Sequence, residues 1–225
     1  MSAIIPLFII MAHLPCWGEV SLNDPGIPHG EKLVYDQYID STPSVMTEET
    51  RIIEKDGRQV YDIVSHSRLD KRRILIEKKT MIVLQTEVLQ KGDDAVVKRV
   101  NTLVEKKQPL KGNEIGVINY YAINYLFRAV PFEQQDRMIL KILGTQGAME
   151  MEVSVSEKET ITVNEEKYEC WHLRFGMAGM LGRLLPKASF WYTVKAPHYL
   201  VKYEGLVSGP GSPKKVLELK SYTTP

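Results

Sequence analysis

From Leu33 to the C-terminus, the apolar residues of this chain recur mostly at every second position, which restricts the fold more than any other feature of the sequence. A period of two sends successive side chains to opposite faces of an extended strand, so a chain patterned this way must bury one face of a sheet. Leu33, Tyr35 and Ile39 begin the pattern. Runs of the same kind follow at Thr47 to Glu54, Gln59 to Ser67, Thr80 to Gln90, Ala95 to Val104, Met138 to Leu143, Met149 to Ser156, Glu159 to Val163, Lys167 to Phe175, Ser189 to Lys195, Leu200 to Val207 and Val216 to Tyr222. The reading is of about eleven strands. Lys55-Asp56-Gly57-Arg58 sits between two runs as a hairpin turn, because Asp and Gly both tolerate the positive φ that a two-residue turn demands. Lys91-Gly92-Asp93-Asp94 reads in the same manner.

One stretch departs from the pattern. Between Gly116 and Arg128 the residues Val117, Tyr121, Tyr125 and Leu126 share one face of a helix, and Pro131 stops it. Many strands and one helix predict a mainly β fold: a single curved antiparallel sheet, an open half-barrel, with one short helix on the concave side.

The N-terminus is of a different character. Residues 1–18 contain no Lys, Arg, Asp or Glu, and Ala3, Ile4, Ile5, Leu7, Phe8, Ile9, Ile10 and Met11 form a compact apolar run. Pro6 and Pro15 interrupt it, and it falls short of the roughly 20 residues a membrane-spanning helix needs. It reads as a signal peptide although its start lacks the usual Lys or Arg, with Cys16 and Gly18 at the two small-residue positions and a mature chain from Glu19. Lipidation at Cys16 is the alternative, poorly matched by His13, Leu14 and Pro15. The expected organisation is a signal peptide at 1–18, a linker at 19–29 and a half-barrel domain at 30–225, periplasmic or otherwise exported, with no transmembrane span in the mature chain. Only Cys170 then remains, so no internal disulfide forms, and its strand-like setting from Tyr168 to Phe175 suits a buried inert thiol.

Charge and motif exclude several functions. Lys and Arg number 29 against 28 Asp and Glu, a balance without the basic excess that nucleic acid requires. The histidines at 13, 29, 66, 172 and 198 show no metal-ligand spacing, so neither metal nor cofactor is expected. Glu48-Glu49, Asp93-Asp94 and Glu165-Glu166 read as solvated carboxylates at turns and strand starts. Arg68, Lys71, Arg72, Arg73, Lys78 and Lys79, diluted by Asp70 and Glu77, read as a solvated hairpin face. Gly209-Pro210-Gly211-Ser212 reads as a turn. No catalytic motif emerges, and a non-enzymatic role is expected.

Two stretches stand out. Gly176-Met177-Ala178-Gly179-Met180-Leu181-Gly182-Arg183-Leu184-Leu185-Pro186 is an apolar loop where loops are ordinarily polar. It is either a cover over the core or a mobile lip at an apolar cavity. The second is Phe190-Trp191-Tyr192 followed by Pro197-His198-Tyr199-Leu200-Val201. Together with Gly30-Glu31-Lys32-Leu33-Val34-Tyr35, it resembles a family of exported bacterial domains of unknown function. That family has a G-E-x-L-x-Y opening, a Trp strand, a Pro-His-x-Leu-Val turn and a final strand of alternating Leu, here Leu217 and Leu219. The match runs from residue 30 to 222, while the loop from Gly176 and the segment near Tyr120 follow the pattern less well. The resemblance implies a strongly bent antiparallel half-barrel, similar to periplasmic carriers that shuttle lipoproteins, and supplies no catalytic residues.

The expected function is binding of an apolar or lipid-like molecule in the cell envelope. Trp171, Leu173, Phe175, Phe190 and Tyr192 would form the wall, Met177, Met180, Leu181 and Leu184 the lip, and Tyr121 and Tyr125 would face the ligand from the helix. The alternative is an envelope interaction or scaffold protein that offers a sheet edge to a partner protein. Intact-mass measurement of the protein from its native host should show a chain beginning at or near Glu19; a chain retaining Met1 contradicts the signal reading.

Overall fold

The computed structural model describes residues 22–91, 96–102, 114–134, 136–144, 147–182, 184–207 and 211–225. Thirteen strands among them join in one sheet: β1 (Glu31–Ile39), β2 (Thr42–Lys55), β3 (Arg58–His66), β4 (Asp70–Glu77), β5 (Val83–Lys91), β6 (Val96–Thr102), β7 (Glu114–Asn119), β8 (Arg137–Gly144), β9 (Gly147–Val163), β10 (Glu166–Met177), β11 (Ala188–Thr193), β12 (Leu200–Leu206) and β13 (Lys214–Thr223). The spatial order is β6-β5-β4-β3-β2-β1-β13-β12-β11-β10-β9-β8-β7. Two meanders are therefore sewn together where β1 meets β13, with Tyr35 opposite Leu219. The edges of this open sheet are β6 and β7. Curvature brings Cα atoms of β5 and β7 within 8 Å of each other, so the half-barrel is nearly wrapped around its contents.

The sheet is mainly β and open as its alternation predicts, with three corrections. Asp70–Glu77 is a strand and not simply a charged hairpin face, since Asp70, Arg72, Ile74 and Ile76 alternate with Lys71, Arg73 and Leu75. Both Met149 to Ser156 and Glu159 to Val163 lie in one long strand, β9. The helix expected from Gly116 starts later: Glu114–Asn119 is β7, and in that stretch only a 3-10 turn at Tyr120–Ala122 and α1 at Ile123–Phe127 are helical, while a second short helix, α2 (Gly179–Gly182), stands inside the segment expected to be a loop. Ile115, Val117 and Ile118 are β-branched, and a short apolar run fits either period. β7 also pairs parallel to β8, the one parallel neighbour in an otherwise antiparallel sheet.

The turns follow their chemistry. Asp56 and Gly57 have φ of 50° and 72° and close the β2–β3 hairpin in two residues. Asp40-Ser41 and Asn164-Glu165 close β1–β2 and β9–β10 with positive φ and no glycine. Residues 92–95 of the expected second Asp-containing hairpin lie outside the described residues. The Pro and Gly segment before β1 is tied down: Ile27 is buried and its N–H donates to the Tyr61 hydroxyl, Asn23 N–H donates to the Ala129 carbonyl, and Asp24 pairs with Lys78 at 2.7 Å.

The core lies on the concave side, around α1. Five residues are too few for a self-supporting helix, so packing holds it. Phe127 meets Phe175, Phe190 and Tyr192 edge-on, with centroids 5.8, 5.1 and 6.4 Å away. Phe132 stacks on Trp171 and Tyr192. Polar bonds fix the helix in place. Arg128 donates to Glu31 through Nη1 at 2.7 Å and Nη2 at 2.9 Å, and through Nε to the Pro197 carbonyl at 2.8 Å. The Tyr192 hydroxyl donates to the Asn124 carbonyl at 2.9 Å.

Both side chains of the Arg128–Glu31 pair are at most 2% exposed, so removal of one strands the other without water. Arg128→Met should lower the unfolding free energy by about 3–5 kcal/mol in urea denaturation, and adding Glu31→Leu should restore most of it. Equal losses in the single and double variants would contradict this account.

Candidate functional site

Alternation along β1, β2, β4 and β13 puts a polar layer on the inner face of the sheet, beside the aromatic core. Glu31, Leu33, Tyr35 and Gln37 point inward from β1. Met46, Glu48 and Thr50 do so from β2, and Lys215, Leu217 and Leu219 from β13. Glu48 is 7% exposed and accepts a hydrogen bond from the Tyr125 hydroxyl at 2.8 Å, while Glu49 turns outward to Arg51. The reading of both as solvated carboxylates therefore holds for only one of them. Burial pushes the Glu48 carboxyl above its ordinary range, and the Tyr125 hydroxyl bond opposes that rise.

Arg72 is likewise drawn inside. It donates to Asp70 through Nε at 2.9 Å and Nη2 at 2.6 Å, and its guanidinium lies 5.0 Å from the centre of the Tyr121 ring. Arg73, one residue on, faces outward to Asp62. The solvated-face reading of the basic run thus fails at Arg72, because strand alternation splits neighbouring cations between two faces. Lys215 is 9% exposed, and its ammonium makes no hydrogen bond or ion pair among the described residues. Burial brings its ammonium down to about 8, the charge of Arg72 acts in the same direction, and Asp70 and Glu48 act against it.

The space left inside is small. A cavity of about 10 Å³ lies between Tyr35, Glu48, Asn124, Tyr125 and Arg128, with Leu33 and Leu200 completing its wall. That volume suits a single water molecule. On the surface a groove of about 460 Å³ runs between Asp24, Arg58, Glu77, Lys78 and Lys79, and its lining is charged.

The residues expected to bind a ligand fall into two groups. Leu173, Phe175, Phe190, Tyr192 and Tyr125 are buried together around α1, with Trp171 and Tyr121 partly buried beside them. Met177 is 39% exposed, Met180 84% and Leu184 85%, so these three stand on the surface and do not cover the core. The side chain of Leu181 lies outside the described residues. Helix α1 packs directly on this wall through Phe127. One strip does connect the groups: Met177 continues the inward parity of Leu173 and Phe175 and pairs with Met151 of β9.

The other face of β10 and β11 carries a separate cluster. Cys170 is buried with Val163 and Val201, and burial pushes its thiol up to about 12. His172 stacks on Trp191 at 4.5 Å and lies 3.1 Å from Glu159, which also accepts the Trp191 indole N–H at 2.6 Å. His198 Nδ1 meets the Thr193 carbonyl, and His29 accepts the Ile52 N–H. No three metal-ligating side chains gather among the described residues, and none of the described helices is long and apolar enough to cross a membrane.

Sequence reasoning missed Arg128, Glu48, Arg72 and Lys215 as an interior set. Parity was the available signal, since Glu48 alternates with Met46 and Thr50, Arg72 with Ile74, and Lys215 with Leu217. No protein-family model and no curated protein matches the chain. Among solved structures it is similar to a β-barrel-like protein of a domain of unknown function from Brucella abortus, with a TM-score of 0.45 and 9% identity, covering 86% of this chain and 97% of that one. It is also similar to the hypothetical lipoprotein YmcC from Escherichia coli K12, with a TM-score of 0.34 and 10% identity, covering 89% of each chain. Both likenesses are of fold alone.

A pH experiment isolates Lys215. Its ammonium titrates near 8 in the fold against 10.5 ordinarily, so between these values the unfolded chain holds a proton that the native chain has released. Unfolding free energy must then rise with pH across that window. Relative to Lys215→Met, the wild type should gain on the order of 2 kcal/mol between pH 8 and pH 10 in urea denaturation. Parallel stability curves for the two proteins would place Lys215 in water.

Proposed function

We propose that the protein is a non-enzymatic component of the cell envelope that binds an apolar or lipid-like molecule at the lip of the half-barrel. The observation that carries this reading is the exposure of Met180 and Leu184 in the β10–β11 connection, next to Met177. Apolar side chains left in water at one strand end are costly unless something covers them, and methionine adapts to irregular partners. The inward strip from Leu173 through Phe175 to Met177 lets an acyl chain extend from lip toward core. The filled interior limits how deep it goes, so the ligand rests against the lip with α1 as its floor. Covering two such side chains contributes roughly 3–6 kcal/mol before ordering costs.

The envelope setting rests on the signal-like N-terminus and the resemblance of the opening and closing motifs. A second reading, an interaction protein that adds a partner's strand to a sheet edge, draws on one observation: β6 and β7 end the sheet without pairing to each other among the described residues.

Tryptophan emission tests the lipid reading, with one refinement that the structure supplies. Trp171 stacks on Phe132 on the concave side, whereas Trp191 packs on the opposite face with His172. In a Trp191→Phe background, phospholipid vesicles or a long-chain fatty acid should shift the Trp171 emission and raise the melting temperature. Met180→Asp with Leu184→Asp should weaken the response at unchanged circular dichroism, because both positions are already exposed. Emission and melting temperature that ignore lipid overturn the reading, and co-purification of a stoichiometric protein without lipid selects the sheet-edge alternative.

A further inference from the structure

The inner polar layer is unevenly satisfied. Arg128 is neutralised by Glu31 and Arg72 by Asp70, each within 2.7 Å. Glu48 is held by the Tyr125 hydroxyl and pushed by burial toward its neutral form. The Lys215 side chain is mostly buried, and its ammonium has no hydrogen-bond or ion-pair partner among the described residues.

A second orphan sits beside it. Gln37 is 1% exposed; its Oε1 accepts from the Ser44 hydroxyl at 3.1 Å, but its Nε2 is buried with no hydrogen-bond partner. Gln37 pairs with Leu217 and Ile39 with Lys215. Gln37 and Lys215 are therefore diagonal neighbours on the same inner face, with backbones roughly 7–8 Å apart, a span that two long side chains bridge. Both orphans are donors. A water molecule between them would satisfy hydrogen bonds and leave the charge, whereas an oxyanion would accept from both and cancel it.

We propose that Lys215 and Gln37 are the donor half of an internal oxyanion site, which takes a carboxylate or phosphate group either free or as the head group of an amphiphile. The site lies close to one end of the half-barrel: the N–H of the preceding residue, Lys214, donates to Asp40 Oδ1 at 2.8 Å, beside the tight Asp40-Ser41 turn. Arg72 adds positive potential from β4 although its own hydrogen bonds go to Asp70.

The test uses the purified full chain at pH 7 and constant ionic strength, with phosphate, acetate and octanoate as probes against chloride. Calorimetric titration and thermal melting should show saturable stabilisation by at least one oxyanion. Lys215→Met should abolish it and, in anion-free buffer, melt no lower than the wild type, because the variant deletes an unpaired buried charge. Gln37→Leu keeps that charge and should bind the same probe roughly tenfold more weakly, the loss expected for one hydrogen bond to a charged group. Tighter binding of octanoate than of acetate identifies the head group of an amphiphile as the source; equal binding identifies a free anion.

The proposal is overturned if no oxyanion stabilises the wild type, or if Lys215→Met retains the full anion response. It is equally overturned if Lys215→Met melts lower in anion-free buffer, which would mean that Glu48 compensates Lys215 within the fold. Should Lys215→Met not fold, Gln37→Leu carries the test: lost affinity supports the site and unchanged affinity refutes it. Phosphate and acetate make no use of Met180 or Leu184, so failure of the lipid reading leaves this outcome readable.

Discussion

The bidentate pair between Arg128 and Glu31 lies where three separate parts of the chain meet. Glu31 begins the first strand, Arg128 ends the helix, and the third hydrogen bond of the guanidinium reaches the carbonyl of Pro197 ahead of β12. Neither charge touches water, so each is tolerable only while the other is in place. That dependence makes the pair a register pin. A slip of β1 by one residue would send Glu31 outward, leave Arg128 uncompensated and turn Leu33 and Tyr35 to solvent. The same arrangement ties together two motifs at opposite ends of the domain, since Glu31 and the Pro197 carbonyl accept from the same arginine. Gly30 has its own reason: at φ 79° a Cβ there would come within 2.8 Å of Pro225 Cγ.

With the pair in place, α1 is committed to the concave side, and this decides what the half-barrel contains. A sheet curled this far encloses a volume that must be filled by side chains or by something else. Here Phe127, Phe132 and their aromatic neighbours fill most of it, and a cavity of about 10 Å³ lies beside them at Tyr35, Glu48 and Arg128. The polar layer has a different character, because buried donors without acceptors have fewer ways to be satisfied than apolar side chains have to pack.

Alternation made the sheet legible because it reports burial of one face directly, and the Asp56-Gly57 turn was legible because its backbone needs positive φ. The helix was legible only in part. Tyr121, Tyr125 and Leu126 suit a helical face, yet Val117 belongs to a strand, and no local signal separates the two periods over so few residues. The candidate site was harder to see. Glu48, Arg72 and Lys215 look like ordinary surface charges in a linear reading, since charged residues are rarely buried. Their parity with Met46, Ile74 and Leu217 marks them as inward, but it does not say that partners wait there.

By itself the sequence determined most of the strands, the turn at Asp56-Gly57, the buried Cys170 and an apolar connection beyond β10, all of which follow from local periodicity and turn chemistry. Tertiary structure alone decided that β1 pairs with β13, that α1 fills the concave face, and that Met180 and Leu184 stand in water. It also decided which charges are paired. Arg128 and Glu31 are 97 residues apart, and Tyr125 and Glu48 are 77 apart. Curvature of the sheet brings such residues together, and curvature is a sum over thirteen strands that no single segment encodes.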